Sequence, residues 1–538
     1  MAAYAPSSSL LYLESNNPPA ILETITGTRA WRTLAREMGA SPERVRVDLT
    51  QRFIRWTGIG STESVVLLRS QVAVIVTGFV TSEEGDTLRV KPEGVLIVET
   101  HTSAFRIRGF VKRTLQKLAE QTFVNPAFSQ INREGTEFME WTSNDGKRQL
   151  VAVVHGSVVF VGNARSAVEA CLATYTSGNS LKTDPSLHQM RSQMRADNAL
   201  AFGYVSAQNS PRLLSAGLPL LIGRAPDADL QRAIETSATK LFGALAWSCK
   251  PYSDGIEDHY LVSLQPDVGR QLASSLGKVS SYPLRANVPS DAVSVTHYRF
   301  EDSLGAWRGL RTAVSSRTDA LSAVLFSSIL KTALVSYGVN DPEELLRLTE
   351  GEVVTIRLDE TGERSLLLAS IRDAAAFQIF ATCKLGLKSD QNLPNYYLLS
   401  RVEGNMALSL IDKRLVIGTA ADVRRYIESE EPTRPELSQR MNIYFAPTTY
   451  AQVITQTDDS ARLRAFVEAI RTMKKKDGAL PPEAEQKISA LPFATIETAV
   501  KDSEIDRVTR SSLGQFSFIS SLLLPDRTQS APVLPSSR

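Results

Sequence analysis

The sequence predicts an α+β protein built as a tandem duplication: two copies of mainly antiparallel sheets with helices packed on one face. Three observations predict this class. A strand–turn–strand–glycine–helix pattern runs over 150–172, it returns over 406–427, and other paired motifs recur in the same order. The predicted boundaries are 1–287 for the first repeat copy, 288–525 for the second and 526–538 for a disordered, proline-rich tail.

The first pattern predicts a hairpin followed by a helix. Two runs rich in β-branched residues, 150–154 and 157–161, flank His155-Gly156, which is typical of a hairpin turn. After Gly162, Asn163 stands where a helix N-cap is expected, and apolar residues then recur at helical spacing.

The second pattern has the same form, with Gly418 after its second strand and Thr419 as the expected cap. The sequence separation between matching motifs of the two copies also decreases along the chain. Their separation falls from 283 between Pro6 and Pro289 (289 − 6 = 283) to 256 between Gly162 and Gly418 (418 − 162 = 256). Loop deletions in a second copy would produce this ordered decrease, whereas chance matches would scatter.

The other elements of the first copy follow from local signals. Asn17 before Pro18 indicates the start of an amphipathic helix, and the charge pattern over 105–118 indicates a basic amphipathic helix. Hydrophobic runs and turn residues predict strands at 10–14, 72–80, 138–141 and 200–205, a helix at 185–194, and a hairpin of 241–249 with 256–264.

Composition limits the class of partner. Lys and Arg number 60 against 58 Asp and Glu, a net charge of +2, which predicts no nucleic-acid partner. No apolar run approaches the ~20 residues of a transmembrane helix. As written, the start has no signal-peptide pattern, which predicts a soluble cytoplasmic protein. The alternative is a periplasmic or envelope-anchored protein whose true start lies upstream.

The three cysteines, each in an apolar run, are expected to be small buried residues.

The duplicated pattern resembles a bacterial domain family of unknown function, number thirty-three fifty-two. The resemblance rests on the opening residues 6–14, on Val159-Phe160-Val161-Gly162 before a helix, and on the segment 184–205. Members usually begin with a membrane-spanning or lipoprotein-like leader, which implies the cell envelope. The resemblance implies no activity and assigns no catalytic residue.

The search for reaction chemistry predicts no catalytic, cofactor-binding or metal-binding residue. The five histidines show no zinc-ligand spacing, and no Gly-x-Ser-x-Gly elbow is present. The turns at Gly162 and Gly418 could in principle bind an anion at a helix N-terminus. The expected caps Asn163 and Thr419 would already satisfy the backbone amides that such an anion needs.

One surface stands out as a possible partner-binding site. Arg108, Lys112 and Arg113 lie on the basic helix predicted over 105–118, whose counterpart at 377–387 carries only Lys384. An acidic partner or a membrane surface could contact this face, and a solvated helix face is the simpler alternative.

These observations predict a non-enzymatic binding or scaffold protein whose partner is an unknown protein or envelope component. The alternative function is a hydrolase or other enzyme whose residues converge only in three dimensions. A cleft with at least two ionisable side chains of strongly shifted pKa would favour the enzyme, and an apolar groove would favour binding.

Overall fold

The computed structural model describes residues 1–35, 51, 66, 69–84, 87–133, 135–215, 228–253, 255–276, 288–315, 342–384, 387, 395–399, 406–411, 413–428, 453–473, 480–501 and 503–515. The predicted tail at 526–538 lies outside these residues. The first half below means the described residues up to Leu276, and the second half means those from Val288 onwards.

The strands of each half follow in chain order. Those of the first half are β1 (Leu11–Ser15), β2 (Gln71–Glu84), β3 (Thr87–Glu99), β4 (Ala127–Arg133), β5 (Thr136–Thr142), β6 (Gln149–His155), β7 (Val158–Gly162), β8 (Ala201–Val205), β9 (Phe242–Tyr252) and β10 (Gly255–Leu264). Those of the second half are β11 (Ser294–Arg299), β12 (Thr349–Arg357), β13 (Ser365–Ile371), β14 (Tyr396–Leu399), β15 (Met406–Ile411), β16 (Arg414–Thr419), β17 (Val453–Thr457), β18 (Ala494–Lys501) and β19 (Glu504–Ser511).

The helices lie between groups of these strands. Those of the first half are α1 (Pro18–Gly27), α2 (Arg29–Leu34), α3 (Ala104–Thr122), α4 (Arg165–Ser177), α5 (Pro185–Gln193), α6 (Ala228–Leu241) and α7 (Pro266–Leu276). Those of the second half are α8 (Ser303–Ser315), α9 (Pro342–Leu348), α10 (Ala374–Ile379), α11 (Ala420–Glu428), α12 (Ser460–Met473) and α13 (Pro482–Ser489).

The described strands form one 19-stranded sheet in which every pairing is antiparallel. Neighbouring strands follow the order β4-β5-β6-β7-β3-β2-β1-β8-β9-β10-β19-β18-β17-β11-β12-β13-β16-β15-β14. The predicted α+β class with antiparallel sheets is therefore confirmed.

The two halves meet in the middle of this sheet, where β10 pairs with β19. On either side of that pairing, the strands follow one another in the same sequence. β1 lies between β2 and β8, as β11 lies between β12 and β17. β3 lies between β2 and β7, as β13 lies between β12 and β16. β4 ends the sheet in the first half, whereas the second half ends on β14.

The prediction that helices pack on one face is wrong. The apolar residues of α3 contact Ala152 and Val154 of β6, whereas those of α4 lie in the same cluster as Val151 and Val153. Because successive residues of a strand point to opposite faces, α3 and α4 cover opposite sides of the sheet. A strand with four consecutive buried apolar residues needs cover on both sides.

One helix of each half also packs against residues of the other half. Trp31 and Leu34 of α2 pack against Leu463 and Phe466 of α12 in the second half. In return, Ala306 of α8 packs among first-half residues of β10 and α7. The halves therefore share hydrophobic cores as well as a strand pairing.

Local signals succeed where the side chain bonds to its own segment. The Asn17 side chain accepts a hydrogen bond from the Ala20 amide, and the Thr419 hydroxyl accepts one from the Asp422 amide. The predicted cap at Asn163 is wrong, because its side chain accepts from the Gly94 amide and so bonds to β3 instead.

The cysteine prediction is confirmed for two of the three thiols. Cys171 and Cys249 are buried, whereas Cys383 is exposed. The difference arises because Cys383 lies in the π-helical turn after α10, on the side away from the buried Phe377 and Ala381.

Candidate functional site

The predicted partner-binding residues lie on α3, and two of them already contact the sheet. The Arg108 guanidinium is 3.1 Å from the Glu137 carboxylate of β5. The Lys112 ammonium lies 4.6 Å from the centre of the Phe128 ring of β4. Arg113 lies on the outward side of the helix and is exposed. The three side chains therefore do not form one surface.

The outward side of α3 carries a different set of basic residues. Ile107, Val111, Leu115 and Ala119 form its buried face. Arg106, Arg113 and Lys117 lie opposite, at spacings of seven and four residues that place them along one side of a helix. We call these three residues the basic row. Each is exposed.

The corresponding helix of the second half lacks such a row. α10 is only 6 residues long and contains no charged residue, and the π-helical turn Phe380–Lys384 that continues it adds one basic residue, Lys384. Asp373 caps its N-terminus by accepting hydrogen bonds from the Ala375 and Ala376 amides. At this place in the strand order, the described residues of the second half therefore do not repeat the basic row.

A polar cavity is the second candidate, and no sequence motif predicted it. It has a volume of about 660 Å³ and lies between the first turn of the chain, the end of β1 and α5. Its side chains include Glu14, Lys182, His188, Arg191 and Arg195. Glu14 is far in sequence from the other four, which lie between positions 182 and 195, so no local motif could reveal the cavity.

A buried salt bridge forms the base of this cavity. Glu14 accepts hydrogen bonds from the Tyr12 hydroxyl and from the Arg191 guanidinium. Burial raises the pKa of the Tyr12 hydroxyl, and the Glu14 charge raises it further. Burial acts to lower the pKa of Arg191, but the carboxylates of Glu14 and Asp197 outweigh it and raise that pKa. The Arg191 guanidinium therefore stays protonated at the base of the cavity.

A third polar group lies at the junction of the halves. His259 of β10 and Asp506 of β19 are joined by a 2.6 Å hydrogen bond, and Lys501 bonds to the other Asp506 oxygen. Burial acts to raise the pKa of Asp506, but the hydrogen bonds and charges of His259 and Lys501 outweigh it and lower that pKa to about 2. This cluster joins the two halves.

The histidines all have local contacts. His101 lies beside Glu99, His155 packs edge-on against Tyr175, His188 bonds to the Lys182 carbonyl, His259 bonds to Asp506, and His297 bonds to Glu352. Within the described residues, no group of three or more His, Cys, Asp or Glu side chains is placed to hold a metal ion.

Comparisons with known proteins identify no relative. No family model, curated protein or solved structure matches the chain. Among the described helices, none combines the length and hydrophobicity needed to cross a membrane.

Proposed function

We propose that the protein is a non-enzymatic binding or scaffold protein whose basic row on α3 contacts an acidic partner protein. The observation that carries this proposal is the exposure of Arg106, Arg113 and Lys117 along one side of α3. The uncharged helix α10 at the corresponding place in the second half offers no such surface.

The composition of α3 supports an electrostatic contact. The helix carries five basic residues and one acidic residue, Glu120. Complementary surface charges accelerate and orient the association of proteins, and salt weakens their effect. Because the whole chain has a net charge of only +2, the positive charge of this face comes from local clustering of basic residues. Of the predicted site residues, Arg113 belongs to the basic row, whereas Arg108 and Lys112 contact Glu137 and Phe128 of the sheet.

The base of the cavity also supports binding over catalysis. The Glu14 carboxylate accepts hydrogen bonds from Tyr12 and Arg191. These bonds fix its position and pair it with a cation, which leaves it less suited to act as a catalytic base. A guanidinium stays protonated in proteins and does not serve as a general acid or base.

Tandem duplication is part of the proposal, and strand pairing supports it. Gly162 pairs with Val95 of β3, as Gly418 pairs with Leu366 of β13. The equivalent strands deduced this way are separated by 271 residues for β3 and β13 (366 − 95 = 271) and by 256 for β7 and β16 (418 − 162 = 256). These separations decrease along the chain, as the sequence motifs do. A single ancestral unit explains both observations.

A role at the bacterial cell envelope is the broader part of the proposal. It rests on the resemblance of the opening segment 6–14 and the segment 184–205 to an envelope-anchored domain family. Fractionation of cells that produce the protein tests it. Recovery with the envelope fraction supports the proposal, whereas recovery with the cytosol alone contradicts this part of it.

The binding proposal is tested by charge reversal on the full chain. The triple variant Arg106→Glu, Arg113→Glu, Lys117→Glu should bind an immobilised polyglutamate peptide at least tenfold more weakly than the wild type at low salt. The difference should shrink near 0.5 M salt, because screening then acts within a few ångströms. Surface plasmon resonance measures both values.

A matched control reverses three exposed basic residues elsewhere, Lys240, Lys413 and Arg424. This variant has the same net charge as the α3 variant and should bind more tightly than it does. Equal weakening by the two variants would mean that net charge alone governs binding. Reproducible substrate turnover by the purified chain would contradict the non-enzymatic proposal.

A further inference from the structure

We propose that the polar cavity beside α5 binds a small ligand that carries a carboxylate or phosphate group. This site is separate from the basic row on α3, and the proposal does not depend on that row. The cavity volume of about 660 Å³ falls in the range of roughly 300–1,000 Å³ that is usual for small-molecule sites.

The balance of charge favours an anion. Arg191 is paired with Glu14 and with Asp197, whose carboxylate lies 3.3 Å from the guanidinium. Lys182 and Arg195 also line the cavity, and neither forms an ion pair with a described carboxylate. Two positive charges at the cavity wall are therefore available to a ligand.

The backbone of Arg195 gives a second, independent indication. Its φ angle is +48°, in the left-handed region that disfavours residues with a Cβ atom. It follows the end of α5, where glycine usually occupies this conformation. Gly178 does so after α4, with a φ angle of +77°. An arginine here maintains backbone strain and supplies a cation to the cavity. Strained residues of this kind cluster at ligand sites.

The other cavity residues suggest how the rest of a ligand is held. Met1 and Ala2 are partly exposed and provide apolar contacts, whereas Ser192 and Asn198 provide hydrogen-bonding groups. His188 is held in place by a 2.7 Å hydrogen bond between its Nε2 atom and the Lys182 carbonyl. The cavity therefore suits a compact molecule with one anionic group and a partly apolar body.

The second half does not repeat this chemistry at the base of the cavity. Glu14 is the fourth residue of β1, and His297 is the fourth residue of β11. His297 is buried and bonds to Glu352, 3.1 Å away. At this strand position the second half therefore carries a histidine–glutamate pair in place of the Glu14–Arg191 pair.

Calorimetric titration of the full chain with phenyl phosphate and with benzoate tests the proposal. Each probe combines an anionic group with an apolar ring, and the stronger binder identifies the preferred anion. We expect at least one probe to bind with 1:1 stoichiometry at constant ionic strength. Lys182→Ala and Arg195→Gly should each weaken that binding at least tenfold.

Two further measurements separate binding from folding. Arg195→Gly should melt at least as high as the wild type without ligand, because glycine relieves the backbone strain. Lys413→Gly removes another basic residue with a positive φ angle, +66°, that is not among the cavity residues. It should bind the probe like the wild type. Absence of binding for both probes, or wild-type affinity in Arg195→Gly and Lys182→Ala, would overturn the proposal.

Discussion

Asp459 shows how burial of a single carboxylate makes stability depend on pH. It lies just before α12 with only 6% of its surface exposed, and its carboxylate is 3.5 Å from the Arg462 guanidinium. Burial raises its pKa to about 6 from the ordinary value of 3.8, despite the opposing charge of Arg462. The folded protein therefore binds this proton more tightly than the unfolded chain does.

The sign of the effect follows from this difference. Because the pKa is higher in the folded state, Asp459 should make the free energy of unfolding fall as pH rises from about 4 to about 6. Asp459→Asn should flatten the pH dependence in that window, as measured by urea denaturation. Asp267→Asn, a change at an exposed carboxylate, should leave the slope intact. An unchanged slope in Asp459→Asn would contradict this prediction.

At the residue scale, sequence reasoning works when a side chain bonds within its own segment. The cap at Asn17 could be predicted because Pro18 follows it and the bonded amide is three residues away. Asn163 could not be predicted, because its partner is Gly94 on another strand. The cavity residues Glu14 and Arg191 are 177 positions apart, and only the fold brings them together.

At the scale of elements, Gly162 allows β7 to approach the helix that follows it, and Gly418 allows β16 to approach the neighbouring strand β13. A Cβ atom on Gly162 would lie 2.6 Å from the Val168 side chain and 3.1 Å from the Gly94 carbonyl oxygen. A Cβ atom on Gly418 would lie 2.7 Å from the Leu366 side chain. Both contacts are too close for a carbon atom.

Alanine at either glycine should therefore destabilise the protein, by about 1–3 kcal/mol for an overpacked site. Gly27→Ala is the matched control, because a Cβ atom there would have no neighbour within 4 Å. Chemical denaturation of the three variants measures the free energies of unfolding. Wild-type stability in Gly162→Ala and Gly418→Ala would show that these turns tolerate a side chain.

Element prediction failed where the pattern of exposure is unusual. The hairpin of β6 and β7 was predictable because its β-branched runs flank a glycine with a φ angle of +61°. β4 was missed because it is an edge strand with mostly exposed residues and no strong apolar alternation. Both strand faces of β6 are buried, a pattern that periodicity alone cannot distinguish from a buried helix.

At the scale of the whole molecule, α2 couples the stability of the two halves. Trp31 is 7% exposed and its ring centre lies 6.3 Å from that of Phe466 in α12. Trp31→Ala should lower the free energy of unfolding by about 3–5 kcal/mol, as large-to-small changes of buried aromatic residues do. Amide exchange in α12 should accelerate although the substitution lies in the first half.

Trp141→Ala is the control for this coupling. Trp141 is fully buried in a cluster formed by first-half residues. It should accelerate exchange in α3 more than in α12, which is the opposite order to Trp31→Ala. The same order of effects in both variants would contradict a specific link between α2 and α12.

The overall organisation was predictable only in part. Ordered motif separations indicated two related halves, and the strands of both halves do follow the same sequence of pairings. Nothing in the sequence indicated that β10 and β19 would join them into one sheet, since strand edges carry no local signal of their partner. The packing of α2 and α8 against the opposite half likewise depends on contacts between residues that are distant in the sequence.

Lysine acetylation is the measurement that tests the central claim most directly, namely that the first half binds an acidic partner through α3. The rate at each lysine of the full chain is measured by mass spectrometry with and without soluble polyglutamate. Lys117 of the basic row should be protected severalfold, while Lys413 of the second half should react at an unchanged rate. Equal rates at Lys117 in both conditions, or stronger protection at Lys413, would contradict the claim.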